Sequence, residues 1–213
     1  MNLFILGATG DVGREYVDEA LRRGHRVTAT ARNTASLRIE DRLTAAGLDV
    51  MEDPDGLQEL AAQHDAVLSA LRPPSGAEVL LAPLTRAVLT AATIARRRVY
   101  VTGGAGPLLI PDGGGHTVLT APGFLPDSVR PIAKACGEQD RVLDTFAQTH
   151  WLCLRPAAIL MQGPRTGRYS LGRDTLVTQN DGISRISYAD FAVAMLDLVE
   201  LAPAPRQRLT VGW

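Results

Sequence analysis

Apolar positions along the chain follow two alternating periods. Short apolar runs, which are typical of buried strands, alternate with segments whose apolar residues recur every three or four positions, as in amphipathic helices. The runs predict strands at residues 3–6, 25–31, 48–51, 65–70, 98–102 and 151–155, and the periodic segments predict helices at 12–23, 34–46, 57–63, 78–95 and 128–149. This alternation favours an α/β fold of Rossmann type, a doubly wound parallel sheet covered by helices on both faces.

The alternation stops after residue 102. Residues 103–127 contain seven glycines and four prolines with little periodicity. They leave the carboxyl end of the fifth predicted strand, the edge where ligands bind in such sheets. We therefore expect a loop that covers a substrate, with a disordered insertion as the alternative.

Beyond residue 156 the pattern becomes short and irregular. It predicts small β segments at 168–171, 175–177 and 183–187, a helix at 188–201 and a last strand near 208–211. We expect one domain spanning residues 1–213, in which residues 156–213 form a small C-terminal substrate subdomain.

The first predicted strand runs directly into three glycines spaced by three, Gly7, Gly10 and Gly13, and a helical pattern follows at once. In a strand–turn–helix unit the first glycine permits the turn and the second lets the backbone approach a pyrophosphate. The third lets the helix pack closely on the sheet. Because the N–H groups at the start of that helix point at the anion, the motif predicts a dinucleotide-binding loop.

Arg32 follows the second predicted strand, 19 positions after Gly13. An enzyme that prefers NAD has an acidic residue about 20 positions past the glycines, which binds the ribose 2′-hydroxyl. A guanidinium suits a 2′-phosphate instead, so this position favours NADP(H) over NAD(H). A solvated arginine at a strand end is the alternative.

Composition argues against several other classes of protein. With a net charge of −1 and scattered basic residues, the chain lacks the cluster of positive charge that binding to nucleic acid or an anionic membrane requires. The apolar stretch 79–95 is interrupted by Arg86 and three threonines, which indicates one face of a helix rather than a membrane span. Cys136 and Cys153 lack the spacing of a metal or disulfide motif, so we expect reduced thiols and no metal. The chain enters its first strand without a leader pattern, and we expect a cytoplasmic protein.

Several blocks in order resemble the atypical short-chain dehydrogenase/reductases, specifically the NADH-flavin reductase group. The blocks are residues 7–13, 31–33, 101–106, 163–169, 184–190 and 206–212, so the resemblance covers nearly the whole chain. A weaker resemblance over the same blocks is to biliverdin-IXβ reductase. The resemblance implies a reductase that binds NADPH and reduces flavins or similar flat conjugated molecules.

The fold and the resemblance together predict a cofactor site at the carboxyl ends of the strands. Ser69, Ala70 and Leu71 end the fourth strand and are expected to pass the adenosine or inner ribose, while Thr102, Gly103 and Gly104 are expected beside the nicotinamide. The full set of expected cofactor-binding residues is Gly7, Thr9, Gly10, Asp11, Val12, Gly13, Arg32, Asn33, Ser69, Ala70, Leu71, Thr102, Gly103, Gly104 and Pro156.

The catalytic group is harder to predict, because the chain departs from its relatives. Pro107 stands where the group commonly has a serine, and Arg130 stands where the Tyr-x-x-x-Lys pair of the superfamily would need its tyrosine. Lys134 is the only lysine and follows the predicted loop, so it is the candidate catalytic residue, with a solvated surface lysine as the alternative. His116, in the loop, is a weaker candidate for a proton donor.

The sequence therefore predicts a NAD(P)H-dependent oxidoreductase that transfers hydride to a flavin or a similar conjugated small molecule. Such acceptors delocalise the incoming charge, and a site without a dedicated acid suits them. Two alternatives stay open: a non-redox isomerase, dehydratase or cyclase on the same fold, and a regulatory protein that senses NADP(H).

Overall fold

An eight-stranded sheet forms the centre of the computed structural model, which describes residues 1–34, 40–202 and 206–213. In chain order the strands are β1 (Asn2–Leu6), β2 (Arg26–Ala31), β3 (Leu43–Gly47), β4 (Ala66–Ser69), β5 (Arg98–Thr102), β6 (Trp151–Pro156), β7 (Ile159–Met161), β8 (Ser170–Gly172), β9 (Arg185–Ser187) and β10 (Gln207–Gly212). The order across the sheet is β3-β2-β1-β4-β5-β6-β10-β8, and every neighbouring pair is parallel except β10 and β8. The predicted doubly wound Rossmann-type sheet is confirmed.

Helices cover both faces of this sheet. They are α1 (Asp11–Arg22), α2 (Pro54–Ala62), α3 (Leu81–Ala95), α4 (Arg130–Asp144) and α5 (Tyr188–Leu201). Within β1, Leu3 and Ile5 join the buried cluster of α1 and α5, while Phe4 and Leu6 join that of α2, α3 and α4. A strand buried on both faces is apolar at every position, which explains the uninterrupted run that marked it in the sequence.

The region around β3 differs from the prediction. Residues 43–47 form a strand parallel to β2, so a helix over 34–46 is wrong there, and residues 35–39 lie outside the described part of the chain. The strand predicted at 48–51 is also wrong, because these residues form no strand and follow β3 as a turn, in which Leu48 and Val50 are buried. Since β3 is an edge strand and half exposed, its own sequence carries little of the apolar pattern of a strand.

The C-terminal part is divided between the main fold and a small separate sheet. Strand β10 pairs with β6, and α5, ten of whose residues are buried, packs against α1. A helix that is apolar on nearly all sides needs protein around it, so α5 belongs to the main body. Among the described residues, β7 and β9 form a separate two-stranded sheet.

The segment from residue 78 to residue 95 has the length and the mean hydropathy, 1.4, of a membrane-spanning helix. It begins with a 3₁₀ turn at Glu78–Leu80 and continues as α3, whose buried residues Val88, Leu89 and Ala92 pack in the core beneath the sheet. One such helix is weak evidence for a membrane protein, because the core helix of a globular domain has the same composition.

Candidate functional site

The turn between β1 and α1 is packed so closely that Gly7 and Gly13 cannot be replaced without movement. Gly7 adopts a left-handed φ of +76°, and a Cβ on it would lie 2.6 Å from the carbonyl oxygen of Ala70. A Cβ on Gly13 would lie 2.0 Å from the carbonyl oxygen of Gly7. Gly10 donates its N–H to that same oxygen at 3.1 Å. Thr9 lies in the turn between them, and the strand–turn–helix context predicted for the motif is present.

The amino end of α1 has no side-chain cap. Its N-cap residue is Gly10, and Asp11 and Val12 in the first turn line a cleft. The N–H groups of a first helical turn lack partners within the helix and carry the positive end of its dipole, which favours an anion. Together with the close glycine packing, this arrangement fits the pyrophosphate of a nicotinamide dinucleotide.

Arg32 and Asn33 lie at the same edge of the sheet as the glycine turn. The β1–β2 register pairs Leu6 with Thr30, so the chain passes Arg32 just beyond the level at which Gly7 leaves β1. Both residues are exposed. This edge is where the adenosine end of a dinucleotide lies in a Rossmann fold.

The cleft has a volume of about 480 Å³ and crosses the carboxyl ends of β4, β5 and β6. Nine of the predicted cofactor residues line it: Gly10, Asp11, Val12, Ala70, Leu71, Thr102, Gly103, Gly104 and Pro156. Gly7, Thr9, Gly13 and Ser69 stand in or beside the turn without lining the cleft, and Arg32 and Asn33 lie farther along the edge. The rest of the lining is largely apolar, and its larger side chains, here called the apolar wall, are Leu81, Val118, Leu125, Val129, Ile132 and Leu160.

The loop 103–127 supplies part of that wall. Its residues Leu108 and Val118 form a small buried cluster with Leu176. Main-chain hydrogen bonds tie the loop to the segment before β9, from Leu109 N–H to Asp174 O at 2.8 Å and from Leu176 N–H to Leu109 O at 2.9 Å. The loop therefore has packed contacts of its own beside the cleft.

Gly103 and Gly104 bring the end of β5 against two cysteines. A Cβ on Gly103 would lie 2.7 Å from Cys153 Sγ, and one on Gly104 would lie 2.3 Å from Cys136 Sγ. Burial raises the pKa of the Cys136 thiol to about 12 and that of Cys153 well above its ordinary value. Both thiols therefore stay protonated near neutral pH, and Cys136, although it lines the cleft, is a poor nucleophile.

Thr102 is held from both faces of the sheet. Its Oγ1 lies 2.8 Å from the phenol oxygen of Tyr16 on α1. Its main-chain carbonyl accepts a hydrogen bond of 3.3 Å from Nε2 of Gln139 on α4. These two contacts hold the end of β5, at the floor of the cleft, between α1 and α4.

Few ionisable side chains reach the cleft in the described part of the chain. They are Asp11 at the α1 end, Arg72 after β4, the buried Cys136 and Tyr188 at the start of α5. The guanidinium of Arg72 acts electrostatically on Cys136, lowering a thiol pKa that burial raises more strongly. A mostly apolar cleft with so few charges suits a flat conjugated molecule better than a highly polar substrate.

Lys134, predicted as the catalytic residue, does not reach the cleft. It is exposed on α4, whose cleft-facing residues are Ile132, Ala133, Cys136 and Gln139. A residue one position past Ala133 points about 100° around the helix from it. His116 is exposed and also lies off the lining.

The block at residues 163–169 contributes structure rather than a binding face. Arg165 pairs with Glu19, and Tyr169 donates to Asp197 at 2.5 Å. Asp190, which is fully buried, accepts from the N–H groups of Thr166 and Gly167 at 2.8 Å each. These contacts fasten the loop to α1 and α5.

Sequence reasoning missed Tyr16, Gln139 and Tyr188. Gln139 left a signal, since it is a polar residue three positions from Cys136 and three from Val142, in a buried helical stripe. Tyr16 left none, because a tyrosine on an apolar helix face is ordinary. Tyr188 stands at a helix start, and only the tertiary structure brings it to the cleft that Pro156 of β6 and Leu160 of β7 also line.

Comparison with known proteins agrees with this geometry. A family model described as NAD(P)H-binding matches residues 7–198. The chain belongs to this NAD(P)H-binding family. It is a nicotinamide-cofactor protein, and its resemblance to the atypical short-chain dehydrogenase/reductases is confirmed.

Individual relatives of the family match end to end. The uncharacterised protein YwnB of Bacillus subtilis is 35% identical over 213 residues, which cover 99% of this chain and 98% of YwnB. A solved structure from Streptococcus pneumoniae, described as a candidate NADH-flavin reductase, is 29% identical, with a TM-score of 0.89 and coverage of 100% and 99%. A solved structure from Bacteroides thetaiotaomicron, described as a candidate epimerase, is 32% identical, with a TM-score of 0.90 and coverage of 100% and 96%. Together with the family match, they support an NAD(P)H-dependent oxidoreductase in general.

Proposed function

We propose that the protein is an NADPH-dependent reductase that transfers a hydride to a flavin or to a similar flat, conjugated small molecule. The observation that carries this proposal is the cleft itself, which starts at the uncapped end of α1 and opens into an apolar space at the ends of β5 and β6. A dinucleotide bound at α1 extends along the strand ends in this fold. The apolar wall then leaves a slot beside it for a planar ring.

The lining supports an acceptor that needs little help from the protein. Gly103, Gly104 and Gly106 line the cleft, and their Cα atoms are packed against Cys153, Cys136 and Ala133, so the end of β5 presents only main chain to a bound ring. Bound NADPH supplies the hydride, and the reduced flavin takes up one proton from water, so NADPH, flavin and a proton give NADP⁺ and dihydroflavin. The protein's contribution is to orient the two rings and exclude bulk water.

The preference for NADPH rests on Arg32. It is an exposed guanidinium at the edge where the adenosine ribose is expected, at the position where an NAD enzyme has a carboxylate. The planar fork of a guanidinium matches a phosphate with two parallel hydrogen bonds. We therefore propose NADP(H) as the preferred cofactor. We also propose that the protein acts in the cytoplasm.

The direct test combines binding and turnover. NADPH and NADH binding is measured by calorimetry, and NADPH oxidation is followed by absorbance with FMN, FAD and riboflavin as acceptors, against the same mixtures without protein. Tight binding with protein-dependent oxidation supports the proposal. Tight binding without oxidation by any flavin contradicts the flavin acceptor.

That second outcome turns attention to the non-redox and sensor alternatives. The relative described as a candidate epimerase makes the first of these specific. An isomerase of this kind converts its substrate without net consumption of NADPH. A sensor binds the nucleotide and turns over nothing.

A further inference from the structure

The hydroxyl of Thr102 has one side-chain partner in the described protein, the phenol of Tyr16 at 2.8 Å. Tyr16 is completely buried and its ring stacks on Phe191, with the ring centroids 6.1 Å apart. Thr102 is half-buried and lines the cleft. The pair thus connects the core between α1 and the sheet to the floor of the cleft.

The direction of the hydrogen bond follows from the burial of Tyr16. Burial raises the pKa of the phenol well above its ordinary value, so Tyr16 keeps its proton at every physiological pH. A buried O–H that donates to nothing is costly, and Thr102 Oγ1 is the acceptor within reach. Tyr16 therefore donates to Thr102, whose own proton is left to point elsewhere.

We propose that Tyr16 orients the Thr102 hydroxyl to donate a hydrogen bond to a carbonyl oxygen of a ligand in the cleft. Both ligands of the proposed function carry such an oxygen, in the carboxamide of the nicotinamide and in the ring of the flavin, and this inference rests on that function. Thr102 contacts the ligand. Tyr16 is a positioning residue that acts through Thr102.

On the other face of the sheet, a hydrogen bond from Gln139 holds the main chain of Thr102 in place, and with it the position of the hydroxyl. Gln139 Nε2 donates to Thr102 O at 3.3 Å and to Thr85 Oγ1 at 3.1 Å, and Thr85 in turn donates to Leu81 O at 2.9 Å. The main chain of Thr102 is held by α4 and its side-chain oxygen by α1. The hydroxyl proton of Thr102 is then the group left to donate to a ligand.

The test compares Thr102→Val, Thr102→Ser, Tyr16→Phe and the double variant Tyr16→Phe/Thr102→Val. Tyr100→Phe is the matched control, because Tyr100 is a buried tyrosine on β5 whose phenol donates to Val199 O at 3.4 Å and not to the Thr102 hydroxyl. Three quantities are measured for each variant: the Kd of NADPH, the KM and kcat for FMN, and the denaturant midpoint of unfolding.

We expect Thr102→Val to raise either the Kd of NADPH or the KM for FMN by about 5- to 10-fold, which is the effect of one lost hydrogen bond. A change in Kd for NADPH assigns the contact to the cofactor, and a change confined to the KM of FMN assigns it to the flavin. Thr102→Ser keeps the hydroxyl and stays close to the unmodified protein. Tyr16→Phe is expected to weaken the binding of the same ligand by a smaller factor. In the double variant it causes no further loss of binding, because its effect passes through Thr102.

Unchanged affinities in Thr102→Val overturn the inference, as does a Thr102→Ser variant that is as impaired as Thr102→Val. Losses that add fully in the double variant, or a Tyr100→Phe variant with the same loss as Tyr16→Phe, show a purely structural role for Tyr16. If Tyr16→Phe does not fold, the two Thr102 variants still decide. Absence of FMN turnover in the unmodified protein contradicts the proposed function, and the Kd of NADPH then decides this inference alone.

Discussion

Arg165 holds Glu19 with two parallel hydrogen bonds, from Nε to Oε2 at 2.7 Å and from Nη2 to Oε1 at 2.8 Å. Glu19 is 1% exposed and also accepts from Arg23 Nε at 2.8 Å. A carboxylate this deeply buried requires such partners. The bond joins the loop after β7 to α1, the helix whose amino end lines the cleft.

Replacing Glu19 destabilises the protein and removes part of its acid sensitivity. Hydrogen bonds from Arg165, and then Arg23, lower the pKa of Glu19 from 4.5 to about 2. A carboxyl with a lowered folded-state pKa contributes stability above pH 4.5, and this contribution is lost as the pH falls toward 2. Glu19→Gln is expected to cost about 3 kcal/mol at pH 7 and to flatten the loss of stability between pH 4.5 and 2, measured by urea unfolding.

Glu15 provides the matched control on the same helix. Burial raises its pKa, so its charge favours the unfolded state. Glu15→Gln is expected to leave stability at pH 7 unchanged or slightly higher. Equal losses in both variants would show that the contacts of Glu19 are not the cause.

Arg32→Glu is expected to reverse the preference between the two cofactors. The substitution replaces a partner of a 2′-phosphate by a carboxylate that repels it and binds a ribose hydroxyl. The Kd for NADPH should rise by at least about tenfold while that for NADH stays constant or falls. Arg26→Glu, an exposed arginine at the opposite end of β2, is the control. An unchanged ratio of the two Kd values in Arg32→Glu would remove Arg32 from the cofactor site.

Two helical glycines are expected to respond in opposite directions to alanine. In Gly13→Ala the new Cβ meets Gly7 O at 2.0 Å, so α1 must move away from the turn, which lowers both the stability and the affinity for NADPH. On Gly137 in α4 a Cβ would have nothing within 4 Å, and Gly137→Ala is expected to stabilise the protein by about 0.5–1 kcal/mol. Thermal unfolding and NADPH calorimetry on both variants check this contrast.

Lys134→Ala is expected to keep its turnover with NADPH and FMN, because the ammonium group lies on the exposed side of α4. Arg72→Ala, which removes a cation that lines the cleft, is the comparison and is expected to lower turnover or binding. Steady-state kinetics on the two variants distinguish them. A tenfold or greater loss in Lys134→Ala would restore that lysine as the catalytic candidate.

Local features made much of the fold predictable. The bounds of β5 and α5 agree with prediction at both ends, because each is an apolar segment with clear flanking signals. Helix α5, for example, begins after Ser187, whose hydroxyl accepts from Asp190 N–H at 3.0 Å. The prediction missed strand β3, because an edge strand buries few side chains and its sequence therefore carries only a weak apolar pattern.

The glycine turn was visible in the sequence by itself, because a strand–turn–helix motif is a local structure of consecutive residues. The floor of the cleft was not, since Tyr16, Thr102 and Gln139 come from three elements that only the tertiary fold brings together. The same reason explains why Lys134 was predicted as the catalytic residue although it does not reach the cleft. Its position along the chain was suggestive, but the direction of its side chain depends on which face of α4 meets the sheet. The sequence alone determined the glycine turn and the fold class; the packing of α1 and α4 on the two faces of β5 decided which side chains reach the cleft.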